Sequence, residues 1–272
     1  MDKVLLEKYE HLKSYIASLG SCAVAFSSGV DSTFLLYAAK EALGEHMIAL
    51  TAASTFFPGR EFEEAKAFCE KLGIPHYYFE TDEVSIPGFS ENPENRCYLC
   101  KKELFSTFLR LAKEHGMACV VEGSNLDDEG DYRPGHIAIN ELGIKSPLRE
   151  AGFTKEEIRS MSRHFDLPTW NKPSFACLAS RFPYGETITR EKLAMVDQGE
   201  QLLMDLGFKQ FRVRIHGNVA RIELLPEDFG RFMGEDIRLN VAKQFKKIGF
   251  AYTALDIIGY RTGSMNETIL RG

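Results

Sequence analysis

The length, composition and charge of the chain exclude several classes of protein. It has 272 residues, of which 44% are hydrophobic and 26% charged, and its formal net charge is -6. A chain of this size can bury a sizeable core, and its acidic balance disfavours nonspecific binding to nucleic acid or anionic membranes. Bilayer-spanning segments need about 20 apolar residues, which no run approaches, and charges interrupt the amphipathic pattern of residues 1–20. We therefore expect a cytoplasmic protein with reduced cysteines.

Apolar strands alternate with helical segments along the first half of the chain. The predicted strands are 22–26, 47–53, 76–79 and 118–122, and the predicted helices are 32–43, 61–72 and 100–115. This alternation predicts an α/β fold with a doubly wound parallel sheet, whose ligands bind at the carboxyl ends of the strands.

The rest of the chain predicts one more helix and then a smaller domain. A polar segment with Gly and Pro, 126–150, precedes a helical pattern that Thr154 and Glu157 are expected to cap. An irregular segment with three prolines follows at 167–188. A small α+β unit is then predicted from helices 190–206 and 235–247 and strands 210–216, 219–224 and 251–258. We expect two domains, 1–184 and 185–272.

The segment between the first strand and its helix predicts an anion-binding loop. Backbone N–H groups and the helix dipole favour an anion there, and the hydroxyls of Ser27, Ser32 and Thr33 can donate to phosphate oxygens. The loop lacks the lysine of a Walker motif. Asp31 would be repelled by phosphate unless a cation such as Mg²⁺ lay between them. An N-capped turn without any ligand explains the same residues equally well.

The string Ser27-Ser28-Gly29-Val30-Asp31-Ser32 resembles the Ser-Gly-Gly-x-Asp-Ser signature of the PP-loop ATP pyrophosphatase superfamily. It departs from that signature at Ser28, where glycine is usual. The resemblance implies that ATP is cleaved between its α and β phosphates. The loop would hold the pyrophosphate leaving group while AMP is attached to a substrate oxygen, so a Walker lysine is not required. ATP-binding residues implied in the loop are Ser27, Ser28, Gly29, Asp31 and Ser32, with Asp31 also binding magnesium.

Longer motifs resemble one family within that superfamily. They are the acidic segment "EGSNLDDEGDYRPG" at 122–135, "WNKPSFACLASRFPYGETIT" at 170–189 and "FRVRIHGNVARIELLPEDF" at 211–229. Alone, the acidic segment is typical of a solvated loop. Together they closely resemble the LarE family of ATP-dependent sulfur transferases, over most of the chain. That family adenylates pyridinium-3,5-dicarboxylate mononucleotide and converts it to thiocarboxylates for the nickel-pincer nucleotide of lactate racemase.

The LarE resemblance implies roles for further residues of this chain. It implies that Cys177 carries the sulfur chemistry. Asp31, Ser180 and Arg181 are also expected to be catalytic, Arg181 (like Arg133) by its charge and Ser180 as a hydrogen-bond donor. It implies additional ATP-binding residues at Thr51, Gly123, Asn125, Asp127 and Arg133. It also implies a homo-oligomer, with the second domain in substrate binding and oligomerisation. A sulfide or another sulfur donor would be needed, and no nucleic acid or membrane partner is expected.

The six cysteines are expected to fall into two groups. Cys22, Cys69 and Cys119 occupy apolar positions and are predicted to lie in the core. Cys97 and Cys100 form a C-x-x-C at the start of a helix, where the dipole lowers the thiol pKa. A redox dithiol, half of a zinc site and part of an iron–sulfur cluster are all compatible with that spacing.

The LarE resemblance implies two routes for the sulfur. One route sacrifices the sulfur of a single cysteine, here Cys177, and leaves dehydroalanine. The other uses a [4Fe–4S] cluster on three cysteines, here Cys97, Cys100 and Cys177, with one iron open to an inorganic sulfide. The presence of all three cysteines favours the cluster, and the sacrificial route remains the alternative.

Residues 211–224 predict a β-hairpin with one charged face. A two-residue turn at Gly217-Asn218 sets Arg214 opposite Arg221 and Arg212 opposite Glu223. Facing arginines are unfavourable unless an anion lies between them, although a solvated sheet face is also possible. The substrate that the resemblance implies bears two carboxylates and a phosphate, which suits guanidinium groups. The substrate-binding residues we expect are Arg212, Arg214, Arg221 and Glu223.

Three rival functions are compatible with a PP-loop. A tRNA-thiolating enzyme would be expected to have a basic face and additional zinc motifs, and the net charge of -6 and the single C-x-x-C weigh against it. An amide-forming synthetase would give no role to the three cysteines. A nucleotide-sensing module would leave the arginine hairpin unexplained.

Overall fold

The computed structural model describes residues 3–54, 59–128, 134–172 and 177–261. These residues form two compact units. The first unit comprises the described residues up to 54 together with 59–81 and 95–172, and the second comprises 82–94 and 177–261. Among the described helices, none has the length and apolar character needed to cross a membrane.

The first unit is built on a four-stranded parallel sheet, as the alternating pattern predicts. Its strand order is β3-β2-β1-β4, and the strands are β1 (Cys22–Ala25), β2 (Met47–Ser54), β3 (His76–Thr81) and β4 (Cys119–Val121). The helices are α1 (Lys3–Ser18), α2 (Val30–Leu43), α3 (Gly59–Leu72), α4 (Arg96–Glu114), α5 (Pro134–Glu141), α6 (Pro147–Glu150) and α7 (Lys155–His164). The short helices α5 and α6 lie in the segment for which no regular structure is predicted.

Both faces of this sheet are buried. Successive side chains of a strand point to opposite sides of the sheet, so neighbouring residues of one strand pack in different clusters. Cys22 and Val24 of β1 pack in a core cluster with α1, α2 and α7, whereas Ala23 packs in a second cluster with α4 and α5. In strand β2, Met47 and Ala49 pack in the first cluster, and Ile48 and Leu50 pack in the second. The sheet is therefore covered by helices on both sides, and its ligand-binding edge is the carboxyl end of its strands.

The N-terminus of α7 is fixed by the predicted capping box. Thr154 Oγ1 accepts a hydrogen bond from the backbone N–H of Glu157, and the Glu157 carboxylate accepts one from the backbone N–H of Thr154. The Glu157 carboxylate also pairs with Lys8 Nζ at 2.6 Å. These contacts determine where α7 begins, and its first residue is Lys155.

The second unit contains a three-stranded sheet of order β5-β6-β7. Its elements are α8 (Arg190–Asp205), β5 (Phe211–His216), β6 (Val219–Leu224), α9 (Phe229–Phe232), α10 (Glu235–Ile248) and β7 (Tyr252–Leu255). Arg214 pairs with Arg221 and Arg212 with Glu223, so the predicted hairpin register is confirmed. Strand β7 pairs with β6 in parallel and is shorter than the predicted strand 251–258.

Residues 82–94 cluster with the second unit, although they precede α4 in the chain. Asn92 Nδ2 donates to the carbonyl of Pro183 at 2.6 Å, and the backbone N–H of Gly185 donates to the carbonyl of Asn92 at 2.9 Å. The N–H of Ile188 bonds to the carbonyl of Ser90 in the same way, at 2.8 Å. The second unit is therefore assembled from separate stretches of chain, 82–94 and 177–261 among the described residues.

Candidate functional site

The loop between β1 and α2 has the geometry of a helix N-terminal anion site. Helix α2 begins at Val30, and its N-cap residue Gly29 has φ -77°. Ser27 Oγ and Ser32 Oγ lie 3.1 Å apart, so these two hydroxyls meet across the loop. The first N–H groups of a helix have no intrahelical acceptor and favour an anion together with the helix dipole.

The conformation of Ser28 explains why glycine is usual at this position. Its φ is +51°, in the left-handed region that a residue with a Cβ rarely adopts. The buried Ser28 Oγ donates to the carbonyl of Glu61 at 3.0 Å and lies 3.3 Å from Lys172 Nζ. These two hydrogen bonds offset part of the backbone strain, which is of order 1 kcal/mol.

Lys172 brings a cation to the loop from 144 residues further along the chain. Its Nζ donates to the carbonyl of Ser28 at 3.1 Å and pairs with Glu64. The backbone that holds it is fixed by α7, because Arg159 donates to the carbonyls of Trp170 and Lys172, both at 2.8 Å. Sequence reasoning assigns no separate role to Lys172, since nothing in its spacing relates it to the loop.

Asp31 has a partner at each carboxylate oxygen. Asn125 Nδ2 donates to Oδ1 at 3.1 Å, and Lys155 Nζ forms an ion pair with Oδ2. The backbone N–H of Lys155 donates to Asp127, and the backbone N–H of Asp127 donates to Asn125. Three of the predicted ATP-site residues are thus connected to one another, and Lys155 is a member of the group that the sequence does not reveal.

Gly123 allows the end of β4 to approach the start of α2. A Cβ at this position would lie 3.1 Å from the backbone nitrogen of Ser32 and 3.3 Å from Cβ of Asp31. Any larger residue would therefore push the loop apart. The preceding Glu122 fixes the same strand end by accepting hydrogen bonds from Ser124 and Ser146.

Thr51 lies at the same end of the sheet, and its hydroxyl is already engaged. Thr51 Oγ1 donates to the carbonyl of Phe26 at 2.8 Å and lies 2.8 Å from His76 Nε2. Because the hydroxyl has one hydrogen, it accepts from His76 Nε2–H. Burial lowers the pKa of His76, which favours its neutral form at the pH of the cell.

The donor set of the loop fits a nucleotide polyphosphate and Mg²⁺. The hydroxyl of Thr33, in the first turn of α2, is buried without a hydrogen-bond partner among the described residues, so a ligand acceptor would satisfy it. Mg²⁺ is usually bound by one or two carboxylates together with substrate phosphates, and Asp31 supplies such a carboxylate. Lys172 supplies positive charge, as Lys155 does beside Asp31. Arg133, also expected to bind ATP, lies outside the described residues.

The cysteines separate largely as predicted. Cys22 and Cys69 are fully buried, and burial raises the pKa of each thiol to about 12. Cys119 is only half-buried, but burial raises its pKa too. Cys97 is exposed and Cys100 half-buried in the first turns of α4, three residues apart and so on one face. The core thiols are poor nucleophiles, which leaves the C-x-x-C pair and Cys177 as candidates.

Cys177 and Ser180 are placed by a buried ion pair of the second unit. Arg181, about 1% exposed, bonds to Glu200 through Nε at 2.7 Å and through Nη2 at 2.8 Å. Its Nη1 donates to Ser180 Oγ at 2.8 Å and to the carbonyl of Cys177 at 3.4 Å. Burial opposes a charged Arg181, but attraction to Glu200 and then to Cys177 raises its pKa. The buried ion pair therefore fixes the Arg181 guanidinium beside Ser180 and the backbone of Cys177.

The charged face of the hairpin is buried, so it is not a solvated sheet face. Arg212 and Arg214 are each 5% exposed and Glu223 is fully buried. Glu223 pairs with Arg214 at 2.9 Å and with Arg221 at 3.2 Å, and Asp256 pairs with Arg221 at 2.7 Å. The facing arginines are therefore held by two carboxylates of the protein, of which sequence reasoning identifies only Glu223.

Arg212, which is expected to bind the substrate, lies beside an aromatic ring and another buried arginine. Its guanidinium lies over the ring of Tyr260, 5.2 Å from the centroid. Burial and then the nearby Arg181 lower the pKa of Arg212, because both disfavour its positive charge. An anion beside Arg212 would remove this penalty, as the expected substrate-binding role requires.

The three cysteines of the expected cluster are distributed over the two units. Cys97 and Cys100 belong to the first unit and Cys177 to the second. Within the described ranges, no three or more His, Cys, Asp or Glu side chains come together as a metal site. Thiols outside the core are suitable ligands for iron, and the three-cysteine cluster stays a prediction.

Comparison with known proteins identifies relatives over nearly the whole chain. The family model described as NAD synthase matches residues 4–146. The chain is 42% identical over 269 residues to an uncharacterized protein of Synechocystis, covering 98% of this chain and 100% of that protein. It is 37% identical over 268 residues to pyridinium-3,5-bisthiocarboxylic acid mononucleotide synthase of Lactiplantibacillus plantarum, and the match covers 98% of this chain and 96% of the synthase. An uncharacterized protein of Methanocaldococcus jannaschii is 26% identical over 239 residues, which are 88% of this chain and 90% of that protein.

The parallel sheet and the phosphate loop after β1 define the class as a PP-loop enzyme that uses ATP, in agreement with the NAD synthase match. Within that class, the chain belongs to the LarE family, that of the Lactiplantibacillus plantarum pyridinium-3,5-bisthiocarboxylic acid mononucleotide synthase. The resemblance seen in the sequence motifs is thereby confirmed for the family. The subtype with three cysteines and a cluster is a further question.

Substitution of Ser28 separates backbone strain from hydrogen bonding. Ser28→Ala keeps the left-handed strain and loses both side-chain bonds, whereas Ser28→Gly loses the bonds but relieves the strain. We expect the glycine variant to be more stable than the alanine variant by about 1 kcal/mol. Urea unfolding of both variants measures this difference. The control is the pair Asp166→Ala and Asp166→Gly, at an exposed residue with φ +50°. An alanine variant at Ser28 that is as stable as the glycine variant would contradict the assignment of backbone strain to Ser28.

Removal of Glu200 tests whether the Arg181 pair holds the second unit together. Glu200→Ala deprives a buried guanidinium of its bidentate partner, and we expect a loss of about 3–5 kcal/mol of unfolding free energy. Glu114→Ala, which removes an exposed pair with Arg110, should cost less than about 0.5 kcal/mol. Chemical denaturation measures both, and equal losses would show that burial of the pair does not matter.

Proposed function

We propose that this chain uses ATP to adenylate a carboxylate of pyridinium-3,5-dicarboxylate mononucleotide and then converts that carboxylate to a thiocarboxylate. The proposal places the chain in the biosynthesis of the nickel-pincer cofactor of lactate racemase. The observation that carries it is the near-full-length relationship to the Lactiplantibacillus plantarum synthase. The buried arginines of the hairpin and the cations at the loop support it independently.

The chemistry requires two balanced steps. In the first, a carboxylate oxygen of the substrate attacks the α phosphorus of ATP, and the bond to the β-phosphate oxygen breaks to release pyrophosphate. In the second, a sulfide attacks the carbonyl carbon, and AMP leaves with the oxygen that linked it to the carbon. A proton is released from the hydrosulfide. No oxidant or reductant is needed in this sequence.

The loop residues are suited to the first step. The N–H groups at the start of α2 and the hydroxyls of Ser27 and Ser32 would hold the β and γ phosphates. The Lys172 ammonium is a further donor at the loop. Negative charge develops on pyrophosphate as it leaves, and fixed donors and cations stabilise that charge. Mg²⁺ bound by Asp31 would supply additional charge neutralisation when present.

The hairpin is suited to hold an anionic substrate. Arg214 and Arg221 pair with Glu223, and Arg221 also pairs with Asp256. The substrate's carboxylates and phosphate would form charge-assisted hydrogen bonds with the guanidinium groups of this face. In this proposal the predicted second domain, 185–272, binds the substrate and contributes to a homo-oligomer.

We propose that sulfur is delivered with the help of a [4Fe–4S] cluster held by Cys97, Cys100 and Cys177. The C-x-x-C at the start of α4 and the half-buried Cys177 beside Arg181 support this ligand set. Three protein thiolates would hold such a cluster, which would supply an iron that can bind an exogenous sulfide. A reducing, cytoplasmic compartment would keep these thiols available.

The substrate assignment is tested by asking which second substrate the release of pyrophosphate from ATP requires. We expect the full chain to release pyrophosphate from MgATP with pyridinium-3,5-dicarboxylate mononucleotide and not with transfer RNA. Arg212→Ala should raise the KM for the pyridinium nucleotide at least about tenfold, since charge-assisted hydrogen bonds contribute more than 1.4 kcal/mol. A coupled pyrophosphate assay measures both quantities.

The matched control for that variant is Arg238→Ala, which removes an exposed arginine of α10 in the same unit. It should leave the KM for the pyridinium nucleotide within about twofold of the wild type. Pyrophosphate release that depends on transfer RNA instead would assign the chain to a different reaction. An unchanged KM in Arg212→Ala would remove the hairpin from the substrate site.

The sulfur route is tested by anaerobic reconstitution followed by iron and sulfide analysis. The wild type should bind about four irons per chain. The variants Cys97→Ala, Cys100→Ala and Cys177→Ala should each lose most of this iron, because each removes a thiolate ligand. Cys119→Ala, the half-buried thiol of β4, should retain it.

Two results would count against the cluster. One is full retention of iron in Cys97→Ala or Cys100→Ala. The other is a product-forming turnover, without iron, after which mass spectrometry finds Cys177 converted to dehydroalanine. The second result would establish the sacrificial route, in which Cys177 needs neither of the other two thiols.

A further inference from the structure

The carboxylate expected to bind Mg²⁺ already has a cationic partner. Lys155 Nζ pairs with Oδ2 of Asp31, and Asn125 Nδ2 donates to Oδ1. The side chains of Lys155 and Asp31 are 30% and 24% exposed, so a ligand arriving from solvent can reach both. The metal and the ammonium therefore compete for the same oxygen.

The backbone of Lys155 is held in place, whereas its side chain can rotate away from Asp31. Its N–H donates to Asp127 Oδ2 at 2.7 Å, and the preceding Thr154 is held by the capping box. Four rotatable bonds separate this anchored backbone from the ammonium. The ammonium can thus leave Asp31 without any movement of α7.

The position of Lys155 breaks a local electrostatic rule. A cation in the first turn of a helix is disfavoured by the helix dipole, and Lys155 is the first residue of α7. The nearest carboxylate of the capping box, Glu157, is taken by Lys8 at 2.6 Å. Asp31 is the anion that compensates Lys155, and a violation of this kind with a remote partner is typical of functional sites.

We propose that Lys155 is a positioning residue that holds the Asp31 carboxylate until Mg²⁺ and the triphosphate arrive together. Mg²⁺ repels the ammonium and needs its own oxygen ligands, so the two cations cannot share Oδ2. The triphosphate offers the displaced ammonium a new anion. The free enzyme consequently disfavours a bare divalent cation, and nucleotide and metal bind with positive coupling. This inference rests on the proposed function only for the use of ATP with a divalent metal.

Binding of Mn²⁺ to the nucleotide-free full chain tests the proposal. Electron paramagnetic resonance of free Mn²⁺ measures the affinity without any enzymatic turnover. Lys155→Met should bind Mn²⁺ at least about tenfold more tightly than the wild type, because the competing ammonium is gone. A nucleotide that cannot be cleaved between the α and β phosphates should tighten Mn²⁺ binding in the wild type and do so much less in Lys155→Met.

The control is Lys8→Met. It removes the similarly exposed ion pair between Lys8 of α1 and Glu157 of α7 and leaves Asp31 untouched. It should bind Mn²⁺ like the wild type, as should Lys155→Arg, which keeps the charge. Adding Asp31→Asn to Lys155→Met should abolish the gain. Far-ultraviolet circular dichroism checks the fold, and Lys155→Gln replaces any Lys155→Met protein that fails to fold.

Equal Mn²⁺ affinity in the wild type and in folded Lys155→Met or Lys155→Gln, which lack the ammonium, would overturn the proposal. A gain that survives Asp31→Asn would also overturn it, because the metal would then bind elsewhere. None of these measurements contains a pyridinium nucleotide or a sulfur donor. A chain that acts on another substrate would therefore show the same Mn²⁺ behaviour, and failure of the proposed function would be recognised separately.

Discussion

The ion pair between Asp31 and Lys155 joins the N-termini of α2 and α7 beside the phosphate loop, and it places a cation on the carboxylate that is expected to bind the metal. Asp31 stands in the first turn of α2, where a carboxylate is favoured, and Lys155 stands where a cation is not. Asp31 therefore offsets the unfavourable position of the Lys155 ammonium at the start of α7. Gly123 lets β4 approach closely enough for Asn125 to complete the group. The loop is thus assembled from three separate parts of the chain.

The second unit also depends on charge compensation, because several of its arginines are buried. Three of its arginines, Arg181, Arg212 and Arg214, are each at most 5% exposed, and such groups are tolerated only when paired. Burial alone would raise the pKa of Glu200, yet the adjoining Arg181 holds that pKa below its ordinary value. Burial and then the neighbouring Arg181 lower the pKa of Arg212. An anionic substrate beside this guanidinium would favour its charged form.

Local patterns in the sequence were sufficient for the strands and for the hairpin. The period-2 alternation of 211–224 and the Gly217-Asn218 turn fix a register, and the structure has that register. The helices α5 and α6 were not predictable, because they are short and interrupt a segment with Gly and Pro. Lys155 and Lys172 were not identified either, since their contacts with Asp31 and Ser28 span 124 and 144 residues. Such contacts follow from how α7 packs on α2, and no periodicity encodes that packing.

In the proposed reaction, a substrate carboxylate attacks the α phosphorus of ATP before sulfur is introduced. The most direct measurement uses pyridinium-3,5-dicarboxylate mononucleotide whose carboxylate oxygens are labelled with ¹⁸O, followed by mass spectrometry of the nucleotide product. An adenylated carboxylate transfers one labelled oxygen to AMP when sulfide attacks the carbonyl carbon. We predict AMP that contains one ¹⁸O for each thiocarboxylate formed. Unlabelled AMP, or ADP as the product, would contradict the claim.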